Sequence, residues 1–286
     1  MITIAEIPSG IWNFTSYLSQ PISSPLSETV SEYLEEERDI RWVFGDVPDA
    51  DFRVYKDENL GNGLLSVQRL KNECRKHFGN GPYMNINGEA QEHSRLSYAL
   101  ADPDKTYSVA PGTRFKRIYF PVKWRQPHID TWKDRLDRVC IIGRPLPERI
   151  ELVSQLRKLE VPFDVYGPIS WDIPEWKGHS DDIHNTALQY KYQIVYENSL
   201  QDLYHSEKLM NSIMAGCVTF YRADYNLVLP VEGAFLRYSN HAILNRDTLS
   251  DGIVENMKKV IFGGWWELYS FKSFFDTIVN EAERQI

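Results

Sequence analysis

Residues 190–208 read YKYQIVYENSLQDLYHSEK. Five of the first seven residues are aromatic or β-branched, which predicts a buried strand, and the residues after Ser206 have the spacing of an amphipathic helix. The unpaired N–H groups and the dipole of a helix start favour anions. With Lys208 adding a full charge, the strand–helix junction predicts an anion site, although its spacing also fits an ordinary capped helix with solvated charges.

The length, composition and net charge of the chain limit the classes of protein to consider. A chain of 286 residues, 42% of them apolar, is long enough for two ordinary domains. Its three cysteines form no CxxC pair, which argues against a disulfide framework and favours a reducing compartment. The formal charge of −8 opposes general attraction to nucleic acid or anionic membranes. Without a long apolar stretch or a secretion signal, we expect a soluble, cytoplasmic protein.

Short apolar runs alternate with helical patterns along both halves of the chain, which predicts an α/β fold with parallel sheets. The predicted strands of the first half include ITIAEI, IRWVFGD, DFRVY and RIYFPV (residues 117–122), and helical spacing is found at residues 63–77 and at about 147–159. We place an N-terminal domain at residues 1–130 and a C-terminal domain at 131–265. A last amphipathic helix at 266–286 is expected to pack back across the domains. Ligands of such sheets sit at the carboxyl ends of the strands.

Three charged positions lie at predicted strand ends. Arg144 follows the run VCIIG, and Arg149 stands in the first turn of the next helix, where a guanidinium group can clamp phosphate oxygens through paired N–H donors. Glu89 follows the run PYMNING, where a carboxylate with a tuned pKa can serve as a general base. Surface salt bridges and solvated glutamates are the alternative interpretations.

Other chemistries find little support in the sequence. It contains no GxxxxGK[ST], GxGxxG or GxSxG motif, and its histidines show no zinc spacing. The triplets Asp49-Ala50-Asp51 and Asp102-Pro103-Asp104 have the DxD form of some metal-dependent transferases, but an acidic chain contains such triplets by chance. We interpret both as solvated loops, and predict no metal site.

The stretch 190–208 resembles the α1,3/4-fucosyltransferases of glycosyltransferase family 10, whose signature is approximately YKFxLxFENSxxxxYVTEK. The match runs without a gap, with His205 and Ser206 in place of Val and Thr. NINGEAQEH upstream is similar to the family's GEN-containing segment, and PERIELVSQL places an arginine where the family has one. The similarity extends over about residues 80–225.

The resemblance implies the GT-B fold, two Rossmann-like domains facing a central cleft. It makes residues 1–130 the acceptor-side domain and residues 131–265 the donor-binding domain, and it implies roles for individual residues. Glu89 stands at the family's general base, and Arg149 and Lys208 stand where cations meet the diphosphate. Asn198, Tyr204 and Glu207 fall on donor-binding positions, and Arg144 is added as a donor-side candidate. The implied reaction is a single displacement with inversion, without a cofactor or metal.

We therefore expect an inverting glycosyltransferase that uses GDP-fucose on a glycan or other hydroxyl acceptor. One alternative keeps the fold but uses another nucleotide sugar, such as a UDP-pentose or UDP-hexose, on a hydroxymethylated base in DNA; nucleic acid is the less favoured partner. A second alternative is a non-catalytic protein that binds a sugar or nucleotide.

Overall fold

The computed structural model describes residues 1–7, 38–44, 49–57, 81–87, 104–109, 111–112, 115–119, 122, 129–200, 203–263 and 265–286. Two parallel sheets organise this part of the chain. Glu89, Asp102 and the helix predicted at residues 63–77 lie outside the described residues. None of the helices that the structure describes is long and apolar enough to cross a membrane.

The first sheet has six strands in the order β2-β1-β3-β4-β5-β6, all paired in parallel. They are β1 (Ile2–Ile7), β2 (Ile40–Phe44), β3 (Phe52–Asp57), β4 (Tyr83–Asn87), β5 (Thr106–Ser108) and β6 (Lys116–Arg117). The first four strands confirm the runs identified in the sequence. The strand predicted at 117–122 was wrong in extent, because its partner β5 has only three residues to pair with.

The second sheet has five strands in the order β11-β10-β9-β7-β8, again all parallel. They are β7 (Leu136–Ile142), β8 (Phe163–Tyr166), β9 (Tyr190–Tyr196), β10 (Val218–Arg222) and β11 (Leu236–Arg237). Strand β9 is central, and every residue in it except Lys191 is buried. Strands covered on both faces read as continuous apolar runs, which is the pattern that the sequence shows here.

Six α-helices lie in the described part of the chain. They are α1 (Pro147–Lys158), α2 (Ile183–Ala187), α3 (Lys208–Met214), α4 (Asn240–Leu244), α5 (Arg246–Phe262) and α6 (Phe271–Gln285). Helix α1 begins with a proline at its first position, which costs nothing because that N–H would be unpaired in any case. Short 3-10 helices occupy Ile129–Asp134 and Trp265–Tyr269.

The last helix packs against the first sheet, although it comes from the other end of the chain. Its apolar residues Phe274, Phe275, Ile278, Val279 and Ala282 share one buried cluster with Ile4, Phe52, Val54, Met84 and Ile86 of the strands. The side chain of Gln285 also bonds both backbone groups of Tyr83. The domain limits at residues 130 and 265 stay predictions.

The segment before α3 is tied to the end of the first sheet. The backbone N–H of His205 donates to the oxygen of Val109 at 3.0 Å. Arg117 donates to the oxygens of Val109, at 2.5 Å, and of Leu203, at 2.9 Å. These bonds fix the entry to α3 from the side of the first sheet, and so help to place Lys208 at its start.

Candidate active site

A cleft of about 660 Å³ opens at the carboxyl ends of β7, β8 and β9. This is the edge where parallel sheets bind ligands, and the volume lies within the range of small-molecule sites. The starts of α1 and α3 contribute the rest of the wall. Its polar and charged lining residues are Arg144, Arg149, His179, Ser180, Gln193, Tyr196, Asn198, Glu207, Lys208 and Asn211.

Arg149 is the buried cation of this cleft. Its side chain is 4% exposed, and its Nη2 donates to the backbone oxygen of Tyr196 at 3.0 Å and to Oδ1 of Asn198 at 3.1 Å. Its Nη1 donates to the oxygen of Arg144 at 3.2 Å. Burial lowers the pKa of Arg149, but a guanidinium group stays charged in proteins. The charge is therefore held rigidly in place.

One donor of Arg149 is left over. The buried Nε has no hydrogen-bond partner among the described residues. A buried N–H without a partner is costly, so a group of this kind points to a ligand or water that completes it. A phosphate oxygen is the acceptor that best matches a guanidinium group.

Two glycines allow close contacts at the strand ends beside Arg149. A Cβ on Gly143 would lie 2.7 Å from Arg149 Nη1, and a Cβ on Gly167 would lie 2.1 Å from the backbone oxygen of Gly143. The ends of β7 and β8 thus approach each other too closely for any side chain. Trp171 donates from Nε1 to the same Gly143 oxygen at 3.0 Å, which fixes the turn.

Lys208 supplies the second cation, at the start of α3. Its Nζ donates to Ser206 Oγ at 2.8 Å and to Glu197 Oε2 at 3.3 Å. Burial alone would lower the pKa of Lys208, but the charge of Glu197 outweighs burial and raises it. Lys208 is therefore charged at neutral pH, and its side chain is 30% exposed on the cleft side.

Glu197 is buried beneath Lys208 at the end of β9. It accepts hydrogen bonds from Ser206 N at 3.0 Å, Ser206 Oγ at 2.7 Å and Tyr221 Oη at 2.9 Å. Burial would raise the pKa of this carboxyl group, but the charge of Lys208 and the bonds from Ser206 lower it. Glu197 is thus an ionised carboxylate with partners on both oxygens.

His205 continues the same buried network away from the cleft. Its Nδ1 lies 2.8 Å from Tyr221 Oη and its Nε2 lies 3.0 Å from Tyr269 Oη. Burial lowers the pKa of His205 to about 4. The imidazole is therefore neutral at physiological pH and joins the two hydroxyl groups without adding charge.

Gln193 places a second unsatisfied group in the cleft wall. It is 5% exposed, and its side-chain oxygen has no hydrogen-bond partner among the described residues. Gln193 pairs in register with Thr219, whose hydroxyl bonds Ser212 of α3, so its side chain is directed to the same face of the sheet. A ligand N–H or O–H would satisfy this oxygen.

The structure brings most of the predicted donor residues together. Arg144, Arg149, Asn198, Glu207 and Lys208 all line the one cleft. Glu207 forms the N-terminal boundary of α3 without a side-chain capping bond. Tyr204 is 3% exposed and packs in the apolar cluster of the first sheet, not on the cleft lining. The predicted base Glu89 lies outside the described residues.

Sequence reasoning missed two polar residues of this site, Glu197 and Gln193. Glu197 was part of the quoted stretch, and its position at the end of a buried strand was the available signal. Gln193 interrupts an otherwise apolar run, which is the equivalent signal for that residue. Of the acidic triplet at residues 49–51, Asp51 accepts a bond from Thr3 N at 2.8 Å. In the described part of the chain no group of three metal-binding side chains forms.

Comparison with known proteins agrees with the position of the site. Residues 140–246 match the model of the family described as glycosyltransferase family 10 (fucosyltransferase) C-term. That region contains the second sheet from within β7 to β11 and the charged lining residues of the cleft. No curated protein matches the chain in sequence.

Solved structures show the same likeness. A crystal structure of an alpha1,3-fucosyltransferase aligns with a TM-score of 0.54 at 13% identity, over 98% of this chain and 90% of that one. A structure of alpha1,3-fucosyltransferase with GDP aligns at a TM-score of 0.49 and 12% identity, covering 98% and 90% of the two chains. At such identities, the first of these establishes a shared fold and nothing more.

Proposed function

We propose that the chain is a glycosyltransferase that moves fucose from GDP-fucose to a hydroxyl group, since residues 140–246 match the model of the glycosyltransferase family 10 C-terminal domain. The observation that carries this proposal is the pair of fixed cations, Arg149 and Lys208, on one cleft at the carboxyl edge of the second sheet. The cleft is large enough for a nucleoside diphosphate sugar.

Arg149 and Lys208 fit a diphosphate in different ways. The Nε of Arg149, which has no hydrogen-bond partner among the described residues, suits a phosphate oxygen, and Lys208 adds a point charge at the start of α3 on the same cleft. Arg144 and Asn198 are exposed at the mouth, and Asn198 also holds the Arg149 fork in position. Glu207, which is partly exposed beside Lys208, suits a hydroxyl group of the ribose or the sugar.

The proposed reaction is a single displacement with inversion at the anomeric carbon. The acceptor hydroxyl loses its proton to a general base, its oxygen bonds the anomeric carbon, and the bond to the diphosphate oxygen breaks. Negative charge then builds on the leaving diphosphate, where fixed cations stabilise the transition state most. Two protein cations at this point favour a reaction without a metal. Glu89 is the proposed base.

We propose the GT-B arrangement for the same reasons. Two parallel α/β sheets and a fold shared with a fucosyltransferase support it. In that arrangement the donor would occupy the cleft of the second sheet, and the acceptor would approach from the side of the first.

A transfer assay with EDTA present tests the proposal. The purified protein is given GDP-fucose, or a UDP-pentose or UDP-hexose, with glycan acceptors and with hydroxymethylated DNA, and the product is analysed by NMR. We expect transfer from GDP-fucose with inversion, and a loss of about 10²–10⁴ in turnover for Glu89→Gln with donor affinity retained. Transfer from a UDP sugar alone would rule out fucose as the sugar transferred. The proposal would be contradicted if the protein neither transferred nor hydrolysed any of the donors.

A further inference from the structure

The Glu197 carboxylate is enclosed on all sides and yet connected to the cleft. Its side chain has no solvent exposure, whereas its partner Lys208 reaches the cleft. Its Oε1 accepts from Ser206 N and Tyr221 Oη, and its Oε2 accepts from Ser206 Oγ and Lys208 Nζ. A single buried group therefore organises both the entry to α3 and the ammonium group beyond it.

We propose that Glu197 is a positioning residue for Lys208, holding its ammonium group charged and aimed into the cleft before any donor binds. This inference rests on the proposed function, since it concerns the cation that we assign to the diphosphate. Glu197 does not line the cleft, so it acts through Lys208.

The bonds of Lys208 show how the orientation is set. An ammonium group has three protons and accepts nothing. In the described bonds one proton is directed to Ser206 Oγ and one to Glu197 Oε2. Ser206 in turn donates its own hydroxyl proton to Glu197, so the three groups form a closed triangle. The third proton of Lys208 remains for a ligand oxygen.

The surrounding charges agree with this role. The groups that face the Glu197–Lys208 pair are Arg149, Tyr204, His205, Glu207 and Tyr221. His205 is neutral, because burial lowers its pKa to about 4. Glu197 is accordingly the main source of negative charge that keeps the pKa of Lys208 raised against burial, with Glu207 second.

A preset cation matters most for the chemical step. Lysine has a flexible stem, and fixing it during the reaction would cost entropy at that moment. A cation already in place stabilises the leaving diphosphate without reorganisation. Loss of the carboxylate would leave Lys208 partly buried with Glu207 as the remaining negative charge beside it, so the lysine would lose its proton at lower pH.

The pH profile of Glu197→Gln tests the proposal, with Tyr221→Phe as the matched control. Both variants disturb the same buried carboxylate site, but only Glu197→Gln removes the charge. We expect turnover with GDP-fucose to fall at least tenfold in Glu197→Gln, and the alkaline limb of the kcat/KM profile to move to lower pH by a unit or more. In Tyr221→Phe the alkaline limb should stay where it is in the unchanged protein.

Equal alkaline limbs in the two variants would overturn the proposal. Should Glu197→Gln fail to fold, the pKa of Lys208 is measured directly in the unchanged protein, by NMR titration with ¹³C at lysine Cε. The Lys208→Arg variant identifies the signal of Lys208. Titration of Lys208 above the ordinary lysine value supports the proposal, and titration at or below it refutes it. This measurement needs no donor, so a protein that binds no sugar nucleotide would refute the proposed function separately.

Discussion

Gly143 occupies a position where one methyl group would displace the most important cation of the cleft. A Cβ there would lie 2.7 Å from Arg149 Nη1 and 3.1 Å from Cζ, both in a side chain held by three hydrogen bonds. We expect Gly143→Ala to raise the Kd for GDP at least tenfold, measured by calorimetric titration, because the guanidinium group must move.

Gly252 provides the control for this change. It lies inside α5, and an added Cβ meets nothing within 4 Å. Gly252→Ala should therefore leave donor binding unchanged and stabilise the protein by about 1 kcal/mol through helix propensity. Equal GDP affinity in both alanine variants would show that the Arg149 geometry is not needed for binding.

The Gln193→Leu variant tests whether the side-chain oxygen of Gln193 accepts a hydrogen bond from a ligand. This buried oxygen has no hydrogen-bond partner among the described residues, so Gln193→Leu should not lower the melting temperature of the protein without a bound donor. If the oxygen accepts a bond from the donor, the same variant should bind GDP-fucose about tenfold more weakly. Gln189→Leu, exposed just before the same strand, is the control. Retained affinity in Gln193→Leu would place the ligand elsewhere.

The lowered pKa of His205 predicts that the folded protein is less stable in acid. This pKa is about 4 in the folded protein, below the ordinary value of 6.5, so between these values the unfolded chain binds a proton that the folded chain does not. Stability should therefore fall as the pH drops from 6.5 towards 4, by on the order of 3 kcal/mol from this residue. Urea unfolding of His205→Asn should show a shallower pH dependence, and an unchanged slope would contradict this account.

Arg149 and Lys208 were predicted from the sequence because cations at helix starts have a plain electrostatic meaning, and the structure places both on the cleft lining. Their role in donor binding stays a prediction. Glu197 and Gln193 could not be assigned, because the partners that satisfy or fail to satisfy a buried polar group come from distant parts of the chain. Tyr221, for example, lies 24 positions from Glu197.

Among the elements, helix α6 comes from the end of the chain and yet completes the core of the first sheet. Phe275 is 1% exposed and packs edge-on against Trp42 of β2, with 5.0 Å between the ring centroids. We expect Phe275→Ala to lower the free energy of unfolding by about 3–5 kcal/mol, the usual cost of emptying such a site. Urea denaturation followed by circular dichroism measures this.

Lys272 supplies the matched comparison on the outer face of α6. Its side chain is 45% exposed and pairs with Asp276. Such a pair is worth little, so Lys272→Ala should change the stability by about 0.5 kcal/mol or less. If both variants behaved alike, the helix would not be an integral part of the first sheet's core.

Elements defined by a strong local pattern were predicted well. Helix α1 was expected at residues 147–159 and ends at Lys158, and the run YQIVY lies within β9. The length of strand β6 was not predicted correctly, because the length of a strand also depends on the strand it pairs with. Helix α3 begins at Lys208, two residues after the start expected near Ser206.

At the scale of the whole molecule, two parallel sheets contribute unequally to the proposed reaction. The second sheet holds the cleft and its cations, and it is the part that matches the transferase family. Two bonds connect the first sheet to the segment before α3: Arg117 donates to the oxygen of Leu203, and the N–H of His205 donates to the oxygen of Val109. The amphipathic pattern of the last helix predicted that it would be buried, but not which sheet would bury it, since periodicity carries no information on the partner.

The central claim is that Arg149 binds the diphosphate of a sugar nucleotide in this cleft, and calorimetric titration with EDTA present tests it most directly. The unchanged protein and Arg149→Lys are titrated with GDP-fucose and, separately, with UDP sugars, after thermal melts have shown that both are folded. Lysine keeps the charge but loses the planar fork. We predict saturable binding of GDP-fucose by the unchanged protein, weakened at least tenfold in Arg149→Lys. Equal binding by both proteins, or no binding of any sugar nucleotide, would contradict the account.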